Sequence, residues 1–186
     1  MQKGLTLTKL YELGGLATYP CDKAHYHKYL PFYDLLFKPY KYLPINIFEI
    51  GYLDGGSVRL WEDYFPNAQI RAIDITDHWR RTNGVDPRTD RVKLELRDSM
   101  TLTSDYFKDF PPDIVIDDGC HISTYQTHVV KVVYPILRGG GLLIIEDFGS
   151  PEKLLGEFTK LGYPFDVMDL RCLNGFHDNM LLIYHK

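Results

Sequence analysis

The sequence predicts a doubly wound α/β domain built on a mostly parallel sheet, and three observations predict it. Short apolar runs alternate with helix-period segments from Pro44 onward, the signature of βαβ units. A glycine loop, Gly51 to Gly56, follows the first run. Nearly every run ends in a carboxylate, as at Asp74, Asp98, Asp117 and Glu146.

Strands are expected at Ile45–Ile50, Gln69–Ile75, Arg91–Leu96, Asp113–Asp117, Leu142–Ile145, Phe165–Leu170 and Asn179–His185. Helices are expected between them at Gly56–Phe65, Ser123–Leu137 and Lys153–Leu161. In the first helix Val58, Leu60, Trp61 and Phe65 are available for a core face. Pro111-Pro112 leads into the fourth strand, and Gly139-Gly140-Gly141 turns the chain into the fifth. Before Pro44 the chain is rich in Tyr, His and Pro, with short helices expected at Leu5–Leu13 and Leu30–Phe37. Residues 1–186 are read as one domain, with 1–44 as its helical, aromatic cap.

Composition narrows the function. The net charge of −4, with no basic run, argues against a binder driven by nucleic-acid phosphates. No apolar run approaches the ~20 residues that span a bilayer, and Met1–Lys9 lacks an apolar signal core. Three sparse cysteines, Cys21, Cys120 and Cys172, form neither a disulfide framework nor a C-x-x-C pair. A reducing compartment, the cytoplasm, is the expected location. Nothing at Met1 or Lys186 excludes a longer polypeptide, and oligomeric state is left open, a homo-oligomer included.

Sheets of this kind bind ligands beyond the carboxyl ends of their strands, at a topological switch point. The loop there reads G-x-x-x-G-G, with Glu49 two positions before Gly51. A dinucleotide loop reads G-x-G-x-x-G, which counts against an NAD-dependent oxidoreductase. Glu49 would repel pyrophosphate but could hold an ammonium group, directly or through water. Asp74 lies about 20 residues downstream, where an acid binds ribose hydroxyls. Asp98 could face an adenine. The expected ligand is therefore a nucleoside with a cationic amino-acid tail.

Asp117-Asp118-Gly119-Cys120-His121 follows the fourth strand and Glu146-Asp147 the fifth. If those strands are neighbours, four carboxylates converge, and they repel one another unless a cation sits among them. Oxygen ligands favour Mg²⁺, or Mn²⁺ as a near equivalent, over zinc. His121, three residues past Asp118, is the natural acceptor of a hydroxyl proton. His78, Trp79, Arg80 and Arg81 read as a solvated loop, and Arg171–Asn179 as a loop able to reach the mouth of the site. Tyr26, Tyr29, Phe32 and Tyr33 read as core aromatics, although they could stack on a sugar.

The stretches FEIGYLDGGSVRLWEDYFPNAQIRAIDI, DIVIDDGCHISTYQ and LRGGGLLIIEDF resemble the metal-dependent sugar O-methyltransferases, the group of macrolide-sugar and rhamnosyl methyltransferases. The segment YPCDKAHYHKY is similar to that family's Thr-Asp-Lys segment, which lies over the cofactor. The resemblance implies a Rossmann-like class I methyltransferase sheet of seven strands, mostly parallel, with the last antiparallel. It implies S-adenosyl-L-methionine and Mg²⁺ or Mn²⁺ as cofactors and a sugar or glycan hydroxyl as acceptor. It implies Asp118, Glu146 and Asp147 as metal ligands and His121 as general base. Glu49, Gly51 and Asp74 would hold the cofactor, with Ser57 close by, Asp98 and Ser99 near the adenine, and Asp117 beside the ligand Asp118. Asp22 and Lys23 would close over the methionine end. Cys120 stands where the family has serine, and Pro-Cys replaces Gly-Thr ahead of Asp22. The chain is also short beside the macrolide enzymes, which would suit a small or surface-exposed acceptor. A catechol O-methyltransferase and a non-catalytic cofactor-binding domain are the alternatives; a lysine base would favour the first, and Asp118, His121, Glu146 and Asp147 together disfavour the second.

Overall fold

The structure, a computed structural model, describes residues 4–77, 89–148 and 151–186. The stretch His78-Trp79-Arg80-Arg81 lies outside the described residues. Strands β1 (Asn46–Ile50), β2 (Gln69–Asp74), β3 (Val92–Leu96), β4 (Ile114–Asp117), β5 (Leu142–Glu146), β6 (Asp166–Asp169) and β7 (Met180–His185) form one sheet in the order β3-β2-β1-β4-β5-β7-β6. Strands β3 to β5 pair in parallel. Strand β7 runs antiparallel to both β5 and β6, as expected of the last strand.

The central strands are apolar on both faces because both faces are covered, as a parallel sheet requires. Side chains alternate between two cores. Ile47, Ile114, Ile116, Leu142 and Ile144 pack on one side with the N-terminal segment. Phe48, Ile50, Val115, Leu143 and Ile145 pack on the other. The same period of two aims the acids at the strand ends. Glu49 shares parity with Ile47, and Glu146 with Leu142 and Ile144, so both face the N-terminal segment. Asp117 shares parity with Val115 and faces the opposite layer.

Helices α1 (Leu7–Thr18), α2 (Leu30–Phe37) and α3 (Gly56–Tyr64) lie on the first side. On the second, α4 (Ser123–Ile136) packs against α5 (Pro151–Thr159). A short α6 (Arg171–Asn174) closes the list. Helix α1 begins and ends later than expected. Its free N–H groups are taken by Asp34 of α2, which accepts from Leu7 N at 2.5 Å and Thr8 N at 3.3 Å. Gly15, at φ +61°, kinks this helix instead of ending it. Helix α6 sits where a plain loop was expected, and Gly175 stops it at φ +79°.

Candidate active site

Strand order reverses between β1 and β4, so the crevice opens beyond the ends of those two strands. The turn out of β1 depends on Gly51. Its φ is +84°, and a Cβ there would meet the Asp118 carbonyl oxygen at 2.0 Å. Glycine is thus required first for the approach of the β4 tip. Gly56 has a parallel role, since its Cβ would fall 2.3 Å from the Pro20 carbonyl oxygen. Gly56 therefore lets residues 19–29, a strap over the site, sit close against α3.

A cavity of about 550 Å³ lies at this junction. Its size suits a nucleoside-sized ligand. Of the residues singled out for a cofactor, Asp22, Gly51, Ser57, Asp74, Asp98 and Ser99 line it. Asp118 and His121 line it too, as do Cys21 and Tyr26 of the chain segment 19–29. Asp74 accepts from Leu53 N at 2.9 Å and Thr76 N at 2.9 Å, which ties the β2 tip to the glycine loop. Asp98 caps the turn after β3 by accepting from Met100 N at 2.9 Å. Arg97, also on the wall, went unnoticed in the sequence.

Glu49, Lys23 and Asp117 are fully or almost fully buried and are not among the residues that line the cavity. Glu49 Oε2 accepts from Trp61 Nε1 at 3.1 Å, while its Oε1 has no hydrogen-bond partner among the described residues. Burial raises the Glu49 carboxyl to about 7, against the pull of Lys23, Ser57 and Trp61. Asp117 Oδ1 accepts from Gly119 N at 3.3 Å, and its Oδ2 is likewise unpartnered. Burial raises this carboxyl to about 7 as well. A buried carboxylate oxygen without a donor is costly, which fits a site that a cationic group completes.

The acids of β4 and β5 meet as expected, since these strands are hydrogen-bonded neighbours. What holds them was not expected. Lys23 is wholly buried, and its amine donates to Asp118 Oδ2 and to both oxygens of Glu146, at 2.8 and 2.9 Å. Burial works to lower this amine, but Asp118 and Glu146 hold it charged, above the usual lysine range. Tyr33 donates to Glu146 Oε1 at 2.5 Å, and Tyr29 donates to Asp147 Oδ1. His27 Nε2 lies 3.4 Å from Asp147 Oδ2 and 3.6 Å from Asp22. Gln126 of α4 donates to the Glu146 carbonyl at 2.9 Å and steadies the β5 tip.

Asp118, His121 and Asp147 offer ligand atoms that all lie within 4.8 Å of one another. The expected ligands Asp118 and Asp147 belong to this set and His121 joins them, while Glu146, bonded to Lys23 and Tyr33, stands outside it. Two carboxylates and an imidazole suit a hard divalent ion with open positions. The positive-φ residues other than glycine, among those described, are Lys28, Leu53, His121 and Asp147. Two of that metal-capable set are among them, and such strain gathers at functional sites.

Tyr29 and Tyr33 are core residues, as read, but their hydroxyls reach the acids. Their i, i+4 spacing placed them on one helical face; no local signal names partners more than a hundred residues away. His27 was missed for the same reason, as was its 3.2 Å contact with Asn179 Oδ1; Gln126, whose partner Glu146 is only 20 residues away, reads in the sequence simply as part of a helix. Tyr26 is half exposed and stacks on Phe176 with centroids 5.7 Å apart, so the Arg171–Asn179 segment does reach the strap. Asn174 Nδ2 donates to the Tyr26 carbonyl at 2.5 Å.

Sheet order, the antiparallel last strand and a ligand crevice at the switch point define the class I methyltransferase fold. MycE methyltransferase from the mycinamycin biosynthetic pathway, solved in complex with Mg, SAH and mycinamycin VI, matches with a TM-score of 0.72 and 23% identity over 99% of this chain and 54% of that one. In sequence the chain resembles sugar O-methyltransferases. It is 35% identical over 143 residues to 8-demethyl-8-alpha-L-rhamnosyl tetracenomycin-C 2'-O-methyltransferase of Streptomyces olivaceus, covering 73% of this chain and 37% of the relative. It is 33% identical over 159 residues to demethylmacrocin O-methyltransferase of Streptomyces fradiae, covering 77% and 40%. The chain thus spans well under half the length of these curated relatives. No protein-family model matches it. Among the described residues, no helix is long and apolar enough to cross a membrane.

Proposed function

We propose that this chain transfers a methyl group from S-adenosyl-L-methionine to a sugar hydroxyl, with a divalent metal, Mg²⁺ or Mn²⁺, at the acid cluster. The observation that carries this reading is the buried Glu49 carboxylate, one oxygen of it unpartnered, beside Ser57 of a nucleoside-sized cavity that Asp118 and His121 also line. The similarity to sugar O-methyltransferases supports it independently. The cofactor's sulfonium supplies an electrophilic methyl. A bound divalent ion lowers the pKa of an acceptor hydroxyl and spreads the charge that develops on it.

The chain's own residues do the rest. Glu49 accepts the ammonium of the cofactor's amino-acid end, with Ser57 beside it. Gly51 leaves the wall open to the ligand. Asp74 accepts from ribose hydroxyls, and Asp98 and Ser99 flank the adenine. Asp22 closes the methionine end from the strap. Asp118 and Asp147 hold the metal, with Glu146 as a further carboxylate, and Asp117 supports the β4 tip from behind. His121, exposed on the cavity wall, takes the hydroxyl proton. Alignment of acceptor and methyl in a confined site supplies much of the rate. Residues 1–186 act as one unit in this reading, with 1–44 as the cap. A reducing compartment such as the cytoplasm agrees with the three free cysteines.

Calorimetric titration with S-adenosylmethionine, S-adenosylhomocysteine and NAD, with and without Mg²⁺ or Mn²⁺, tests the cofactor. Rhamnose-type glycosides then test the acceptor, read by methyl transfer. The expected result is binding of the adenosyl sulfur compounds and not NAD. Binding of NAD alone, or of nothing, sinks the reading.

A further inference from the structure

Three carboxylates, Asp118, Glu146 and Asp147, crowd the strand tips, and a cation already sits on two of them. Lys23 spends its donors on Asp118 Oδ2 and on both oxygens of Glu146. Tyr33 adds a bond to Glu146 Oε1 at 2.5 Å. A carboxylate oxygen has two lone pairs, so Oε1 is filled and Oε2 keeps one. The donor atoms left close together belong to Asp118, His121 and Asp147.

We propose that Lys23 is a tethered cation that competes with the divalent ion for Asp118 and Glu146. The proposal rests on the reading above that a divalent metal binds this cluster. Lys23 and the ion claim the same oxygens, and each repels the other at short range. While Lys23 holds Glu146, the acids and imidazole gathered closely enough for an ion, among the described residues, are Asp118, Asp147 and His121, and an imidazole nitrogen given to an ion accepts no proton. When Lys23 withdraws, Glu146 joins the ion and His121 is free to act on a hydroxyl.

The withdrawal reaches the cavity. Lys23 lies in the 19–29 strap, which carries local bonds from Tyr26 N to Asp22 O at 3.0 Å, His27 N to Asp22 O at 3.2 Å and Tyr29 N to Lys23 O at 2.8 Å beside its long-range ties to Asn174 and Asp147. Asp22 and Tyr26 of the same strap line the cavity. An ion that displaces Lys23 therefore loosens one wall of the ligand site.

The test compares Mn²⁺ binding by the full chain and by Lys23→Met, using calorimetry, with hydrogen exchange of the strap in the unaltered protein. The expected result is an affinity higher by roughly tenfold or more in Lys23→Met, since a close competing charge is gone. Mn²⁺ is also expected to speed amide exchange at residues 23–29 of the unaltered protein. Equal or weaker affinity in the variant overturns the proposal while leaving the metal reading intact. Unchanged exchange in the strap with Mn²⁺ bound does the same, and it decides the matter should Lys23→Met fail to fold. Failure of both proteins to bind Mn²⁺ overturns the metal reading and this proposal together.

Discussion

Gly51 and Asp118 meet across the junction of the two central strands: the Asp118 carbonyl oxygen occupies the place where a Gly51 side chain would begin, 2.0 Å from an ideal Cβ. Gly51 N also donates to Ile73 O at 2.8 Å, and Asp118 N to Ile50 O at 2.9 Å, so neither tip can slide away. One position therefore governs the cavity wall and the approach of an acid proposed to bind the metal.

Gly51→Ala is expected to lose about 2–4 kcal/mol of stability, from left-handed strain and overpacking together. It should also weaken S-adenosylhomocysteine binding by pushing Asp118 and the loop apart. Urea denaturation and calorimetry read the two effects. An alanine variant of normal stability and affinity would contradict the contact.

His121→Asn should lower turnover by roughly 10²–10⁴-fold while retaining cofactor binding, the scale of losing a general base. Asparagine is the substitution of choice because position 121 has φ +56°, a conformation asparagine tolerates well. Steady-state rates beside a binding titration separate the roles. Undiminished turnover removes His121 from proton transfer.

Glu49 sets a pH dependence with two opposite signs. A cationic amino group binds the ionised carboxylate, so S-adenosylhomocysteine affinity should fall as pH drops below about 7. The limiting slope is about tenfold per pH unit. Stability runs the other way. The folded carboxyl is raised from 4.5 to about 7, so the native state binds more protons than the unfolded chain across that window. This group's stabilisation is complete below 4.5 and is lost as pH rises through about 7. Asp117, also raised to about 7, has the same sign. Titrations between pH 5 and pH 8 on the ligand-free protein and on Glu49→Gln check both; a pH-independent affinity in the unaltered protein would remove Glu49 from the cofactor site.

Tyr29→Phe removes the hydroxyl that donates to Asp147 Oδ1 and leaves the ring packing in place. The expected cost is about 1.5–3 kcal/mol for a hydrogen bond to a charged group. Metal affinity should fall by roughly 10–100-fold, as for other partners that orient a ligand. Thermal unfolding and Mn²⁺ titration measure these. Unchanged Mn²⁺ affinity would mean that Asp147 needs no such support.

The order of elements, the two-faced strands and the acids at their tips were legible in the sequence, because they rest on local periodicity. Ile47 and Phe48 had to face opposite layers, and Glu49 followed them, whatever lay across the sheet. Asp118 and Glu146-Asp147 were legible as neighbours once β4 and β5 were read as parallel partners. What faces these acids was not legible. Lys23 meets Asp118 and Glu146 across 95 and 123 residues of chain, and Tyr33 meets Glu146 across 113. Helix period puts Tyr29 and Tyr33 on one face, but only packing of the N-terminal segment against the sheet chooses their partners. Periodicity thus determined where the acids stand. The tertiary structure decided which cation and which hydroxyls stand against them, because burial forces each charge to find a partner in space, without regard to distance along the chain.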